Sequence, residues 1–113
     1  MVIRMEKIYN KLVRDNIPEI IRKNGGEPYT RILSDEEYKK ELEKKLYEEY
    51  NEVLNTSSKE ERIEELADML EIISALAKVE GQELEDVISC AKQKNIKRGA
   101  FDNKIFLEKV IED

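Results

Sequence analysis

Residues 35–54 and 59–80 carry apolar side chains at helical spacing, and only residues 55–58 separate the two stretches. Each is introduced by a Ser-x-x-Glu signature, Ser34 to Glu37 and Ser58 to Glu61, whose hydroxyl and carboxylate satisfy amides that a helix start leaves without partners. Helices of that length joined by so short a turn must run antiparallel, side by side. In the first, Tyr38, Leu42, Leu46 and Val53 make one stripe. In the second, Glu65 leads the row Met69, Ile72, Leu76. The second helix is also apolar around most of its circumference, through Ile63, Leu66, Ala67, Leu70, Ile73, Ala75, Ala77 and Val79. That demands burial on several sides, more than the rest of a 113-residue chain can supply. The expected fold is therefore all-α: a four- to five-helix bundle-type subunit around a central helix hairpin, completed by oligomerisation as a homodimer or homotetramer. Residues 1–113 read as a single domain.

The flanking segments follow from local signals. Residues 1–15, with Val2, Ile3, Ile8, Leu12 and Val13 among basic side chains, read as extended. Asp15 or Asn16 can cap a short helix with Pro18 in its first turn, running through Arg22 and stopped by Gly25-Gly26. A linker with Pro28 follows. Gly81 is a stop for the second long helix, and a further helix is expected from Glu83 to about Lys97, ended by Gly99. The tail holds Phe101, Ile105, Phe106, Val110 and Ile111, which implies docking against the rest of the molecule.

Acidic pairs interrupt the apolar stripes of the hairpin. Glu49-x-x-Glu52 falls between Leu46 and Val53, and Glu65-x-x-Asp68 borders the row containing Met69 and Ile72. A spacing of three brings both acids of a pair to one helix face, and an antiparallel hairpin can turn the two faces toward each other. Negative charges brought to about 5 Å at an effective dielectric near 20 repel by roughly 3 kcal/mol per pair, so a cluster of this kind calls for a cation. Carboxylate-only ligation suits Mg2+ or Mn2+. Solvated charges or lysine partners would account for the same pattern in a chain that is 41% charged.

Composition narrows the chemistry. The chain has no histidine, which removes Ser-His-Asp and Cys-His catalysis, histidine-bound zinc and imidazole proton transfer together. A net charge of −6 argues against nucleic acid as a partner. Cys90 cannot form an internal disulfide and lies in a helical pattern, which fits packing and a reducing, cytoplasmic setting. No apolar run is long enough for a membrane span, and no signal peptide is visible.

Several motifs resemble the MazG-type all-α nucleoside triphosphate pyrophosphohydrolases. Lys45-Leu46-Tyr47-Glu48-Glu49-Tyr50-Asn51-Glu52 and Glu64-Glu65-Leu66-Ala67-Asp68-Met69-Leu70-Glu71 are similar to the E-x-x-E and E-x-x-D signature of that family. Tyr9-Asn10-Lys11-Leu12-Val13-Arg14-Asp15-Asn16-Ile17-Pro18 resembles the leader of its phosphoribosyl-ATP pyrophosphohydrolase-like subgroup. Lys94-x-x-Lys97-Arg98-Gly99-Ala100-Phe101 matches the basic K-x-x-K-R-G-G-F segment, with Ala100 in place of the second glycine. The resemblance implies a magnesium-dependent hydrolase that cleaves a nucleoside triphosphate between its α and β phosphates, yielding nucleoside monophosphate and pyrophosphate. It further implies that Glu49, Glu52, Glu65 and Asp68 hold the metal. With no imidazole available, one carboxylate must orient or deprotonate the water, and the place of Glu49 within an apolar stripe, which favours a raised pKa, makes it the candidate. Lys94, Lys97 and Arg98 would bind outer phosphate oxygens, a role that their concentration of positive charge also supports; the alternative is a cationic last turn answering the helix dipole. Lys11 and Arg14 are further candidates for phosphate, or for ion pairs with a neighbouring helix.

Two other readings compete. The phosphoribosyl-ATP pyrophosphohydrolase of histidine biosynthesis has similar acidic motifs, but its second motif usually runs into an aromatic-histidine pair where this chain has Met69-Leu70-Glu71. A noncatalytic helical interaction module would explain the wide apolar surface of the second long helix and leave the acidic pairs unexplained.

Overall fold

The computed structural model describes residues 5–113, so the expectation for Val2 and Ile3 lies outside the described residues. Four helices and no strand occur among them: α1 (Ile17–Lys23), α2 (Asp35–Leu54), α3 (Lys59–Val79) and α4 (Leu84–Arg98). Residues 5–14 have no regular secondary structure, and Asn10 at φ +46° interrupts the extended run expected there. Pro18 stands in the first turn of α1, where its missing amide costs nothing, but Asn16 caps by position only and its side chain makes no cap bond.

Helix α2 begins with the reciprocal cap that its sequence announced. The Glu37 amide donates to Ser34 Oγ at 3.2 Å, and the Ser34 amide donates to Glu37 Oε1 at 3.2 Å. Arg31 reaches the same carboxylate at 2.9 Å. The Arg31 guanidinium, followed by the Ser34 amide and hydroxyl, holds the Glu37 carboxyl down at about 2. Helix α3 departs from the expected copy of this device. Ser58 Oγ does accept from the Glu61 amide at 3.1 Å, but the Glu61 carboxylate takes its bonds from the amide and hydroxyl of Ser57, one residue earlier. The turn between α2 and α3 answers the carbonyls at the end of α2: Thr56 Oγ1 donates to the Val53 carbonyl at 3.0 Å, and Arg62 Nη1 to the same oxygen at 3.3 Å.

With both ends closed, α2 and α3 pack antiparallel along their length. Leu42 and Val53 from α2 and Ile72 and Ala77 from α3 are buried. Tyr38 and Leu46, Met69 and Leu76 are half-buried, so the two apolar rows are the packed faces. An exposed ion pair from Lys39 Nζ to Glu80 Oε1, 3.6 Å, joins the far end of the hairpin and contributes at most about 1 kcal/mol.

Gly81 adopts φ +76° and reverses the chain after α3, while the Gln82 amide donates to the Ala77 carbonyl at 2.9 Å. Helix α4 then meets α3 over a shorter stretch and buries none of its own residues. Two expectations change here. Cys90 is exposed rather than packed, because α4 presents that face to no other helix of its own chain. The tail does not dock: Gly99 at φ +79° and Lys104 at φ +58° turn it clear of the hairpin, leaving Phe101, Ile105, Phe106, Val110 and Ile111 exposed.

The radius of gyration is 19.8 Å, against about 13 Å for a compact chain of this length. On α3, Ile63, Leu66 and Leu70 remain exposed. Leu42→Ala should cost about 2–5 kcal/mol through lost burial and a residual cavity, and Ser34→Ala only about 1 kcal/mol through the lost cap. Urea unfolding followed by circular dichroism checks that order; a Leu42→Ala loss no larger than that of Ser34→Ala would contradict the packing described.

Candidate metal centre on the hairpin

The packing of α2 on α3 decides which acids meet. Counting outward from the turn in nearly equal steps along both helices sets Glu49 opposite Glu65, with Asp68 one turn further along α3. One carboxylate oxygen from each of Glu49, Glu65 and Asp68 lies within 4.8 Å of the other two. All three are half-buried, because each sits beside its helix's apolar row. Glu52, one turn after Glu49, is exposed and stands outside this group. The hairpin therefore gathers three of the four expected acids and leaves the fourth at its rim.

The cluster strains its own electrostatics. The Glu49 carboxyl is pushed above its ordinary range, first by partial burial, then by a hydrogen bond to Glu65 that favours its protonated form, and by the charges of Asp68 and Glu65. Lys45, one helical turn earlier, pulls it the other way. Sequence reasoning passed over Lys45, although its spacing of four from Glu49 signals contact on one helix face.

A hard dication fits this donor set. Oxygens about 2.1 Å from an octahedral ion stand about 3 Å apart when adjacent and about 4 Å apart when opposite, so small side-chain rotations would close the trio around one ion. The set contains only carboxylate oxygen, which suits magnesium or manganese over softer metals.

The basic candidates divide into two groups. Arg14 Nη2 donates to Asp68 Oδ1 at 2.7 Å, across 54 residues of sequence. Lys11 and Leu12 line a shallow depression with Glu41, Lys44, Lys45 and Glu48, so the leader lies along α2 beside the acids. Lys94, Lys97 and Arg98 occupy the end of α4, exposed, and make no ion pair among the described residues.

The raised Glu49 carboxyl has a consequence for stability. Unfolded, Glu49 gives up its proton near 4.5, whereas the folded chain keeps it to higher pH. The folded state thus binds more protons in that interval, and stability falls as pH rises through it. In chelator-containing buffer, Glu49→Gln should lack this loss, so its urea midpoint should gain on that of the wild type from pH 4.5 toward neutrality. A constant difference between the two proteins across that range would contradict the burial and charge ascribed to Glu49.

Known proteins resemble this chain over most of its length. A family model described as phosphoribosyl-ATP pyrophosphohydrolase matches residues 9–95, a span that includes the leader, both acidic pairs and Lys94. An uncharacterized protein of Mycolicibacterium smegmatis (strain ATCC 700084 / mc(2)155) is 44% identical over 54 residues, covering 48% of this chain. The chain spans about half (55%) of the length of that relative. No solved structure matches it. No helix among the described residues is long and apolar enough to cross a membrane. By its match over residues 9–95 the chain belongs to the phosphoribosyl-ATP pyrophosphohydrolase family, within the MazG-like all-α nucleoside triphosphate pyrophosphohydrolases.

Proposed function

We propose that this protein is a metal-dependent nucleoside triphosphate pyrophosphohydrolase that cleaves between the α and β phosphates and releases nucleoside monophosphate and pyrophosphate. The observation that carries the reading is the convergence of Glu49, Glu65 and Asp68 on one hairpin in a member of a pyrophosphohydrolase family. Those three side chains, with Glu52 at the rim, would hold magnesium or manganese. A dication bound there supplies the positive charge that lets a polyphosphate approach carboxylates.

The remaining roles fall to the chain's own groups. In the absence of histidine, a Glu49 carboxylate oxygen takes the proton of the attacking water. Partial burial and its acidic neighbours raise its proton affinity, which suits a general base, while a dication bound beside it would pull the other way. Lys94, Lys97 and Arg98 bind outer phosphate oxygens, supported by their grouping at the end of α4 and their freedom from ion pairs among the described residues. Lys11 would assist from the leader. The working form is an oligomer of this chain, a dimer or tetramer, in which a partner covers the exposed apolar side chains of α3. Phosphoribosyl-ATP is the second substrate reading, favoured by the description of the matching family model and opposed by the Met69-Leu70-Glu71 continuation of the second motif.

A panel of nucleoside triphosphates and phosphoribosyl-ATP, incubated with and without magnesium, tests both readings. Pyrophosphate and nucleoside monophosphate are expected only with metal. Orthophosphate as the first product would contradict the bond assignment, and inertness toward the whole panel would favour a noncatalytic module. Among variants, Glu65→Gln and Asp68→Asn should lower turnover by about 100-fold or more, and Glu52→Gln by about 10- to 100-fold, with helix content unchanged. Full activity in Asp68→Asn would remove the trio from the chemistry.

A further inference from the structure

The contact between Arg14 and Asp68 does more than join the leader to the hairpin. Its single short bond, Nη2 to Oδ1 at 2.7 Å, occupies the carboxylate that completes the acidic trio. A dication held by the same carboxylate, on either oxygen, would place two positive charges beside the guanidinium. The two cations therefore compete for Asp68. Side chains that are 57% and 43% exposed make a weak, water-screened pair, so the guanidinium is the partner that yields.

The local structure lets it yield without unfolding anything. Half-buried Leu12 holds the leader against α2, and the Ile17 amide donates to the Arg14 carbonyl at 3.0 Å at the entry to α1. The backbone on both sides of Arg14 is anchored, and only side-chain torsions need to change. Guanidinium is also the side-chain group best shaped to grip phosphate oxygens, through parallel N–H donors.

Taking the proposed metal-dependent reading as its basis, we infer that Arg14 is a displaceable occupant of Asp68: metal entry releases its guanidinium, which then binds the polyphosphate. Metal binding would thus arm the nucleotide site, and the order of binding would be metal first. Arg14 acts here as a positioning and binding group whose availability depends on what Asp68 holds.

Titration calorimetry of the full chain with manganese, then with a non-hydrolysable nucleoside triphosphate analogue at saturating manganese, tests this with Arg14→Gln beside the wild type. Competition predicts that Arg14→Gln binds manganese roughly two- to five-fold more tightly, the scale set by loss of one exposed ion pair. The variant should bind the analogue about ten-fold or more weakly, having lost a charged phosphate contact. Unchanged or weaker manganese binding would overturn the competition, and unchanged analogue binding would overturn the handover. In both cases the acidic trio would remain a metal site. Manganese binding by neither protein would instead remove the metal reading itself and this inference with it. Matching circular dichroism spectra of the two proteins exclude misfolding as the cause.

Discussion

Carboxylates repel one another, and the hairpin forces three of them together all the same. The apolar rows of α2 and α3 set the register, and that register leaves Glu49, Glu65 and Asp68 no alternative to a shared space. Most of the chemistry available to the chain follows from this opposition of packing and charge. Lys45 and Arg14 relieve it in part, one along a helix and one from a distant segment. Under the proposed function a hard dication would relieve it more completely and give a polyphosphate substrate positive charge to meet.

The reading of the hairpin from sequence succeeds because its determinants are local and periodic. Leu42, Val53 and Ile72 recur at spacings that have no other explanation, and the serines at both helix starts fix the boundaries to within a residue or two. Glu49, Glu65 and Asp68 are visible for the same reason, since they stand where the stripes lead one to expect apolar residues. Glu52 shares the spacing but has turned past the packed face, and spacing alone does not distinguish an acid at the seam from one just beyond it. The bonding of the Glu61 carboxylate to Ser57, rather than to the Ser58 amide, is a detail of the turn that composition does not encode.

Contacts between remote segments were the harder part. The sequence left Arg14 open between phosphate binding and an ion pair, because nothing local aims a side chain at a residue on another helix. The path of the leader along α2 brings its guanidinium to Asp68. Cys90 and the apolar tail look internal by composition, yet α4 meets only α3 and the tail turns away after Gly99. Hydrophobicity specifies that a surface will be covered without saying by which chain.

The shortness of the connection between α2 and α3 bears on how the molecule comes into being. Loop closure over four residues carries a small entropic cost, and the resulting contacts are close in sequence, the topology associated with folding in milliseconds or less. The acidic trio belongs to that fast-forming unit. Newly made chains would accordingly bring the three acids together early, ahead of contacts that depend on distant segments such as that of Arg14.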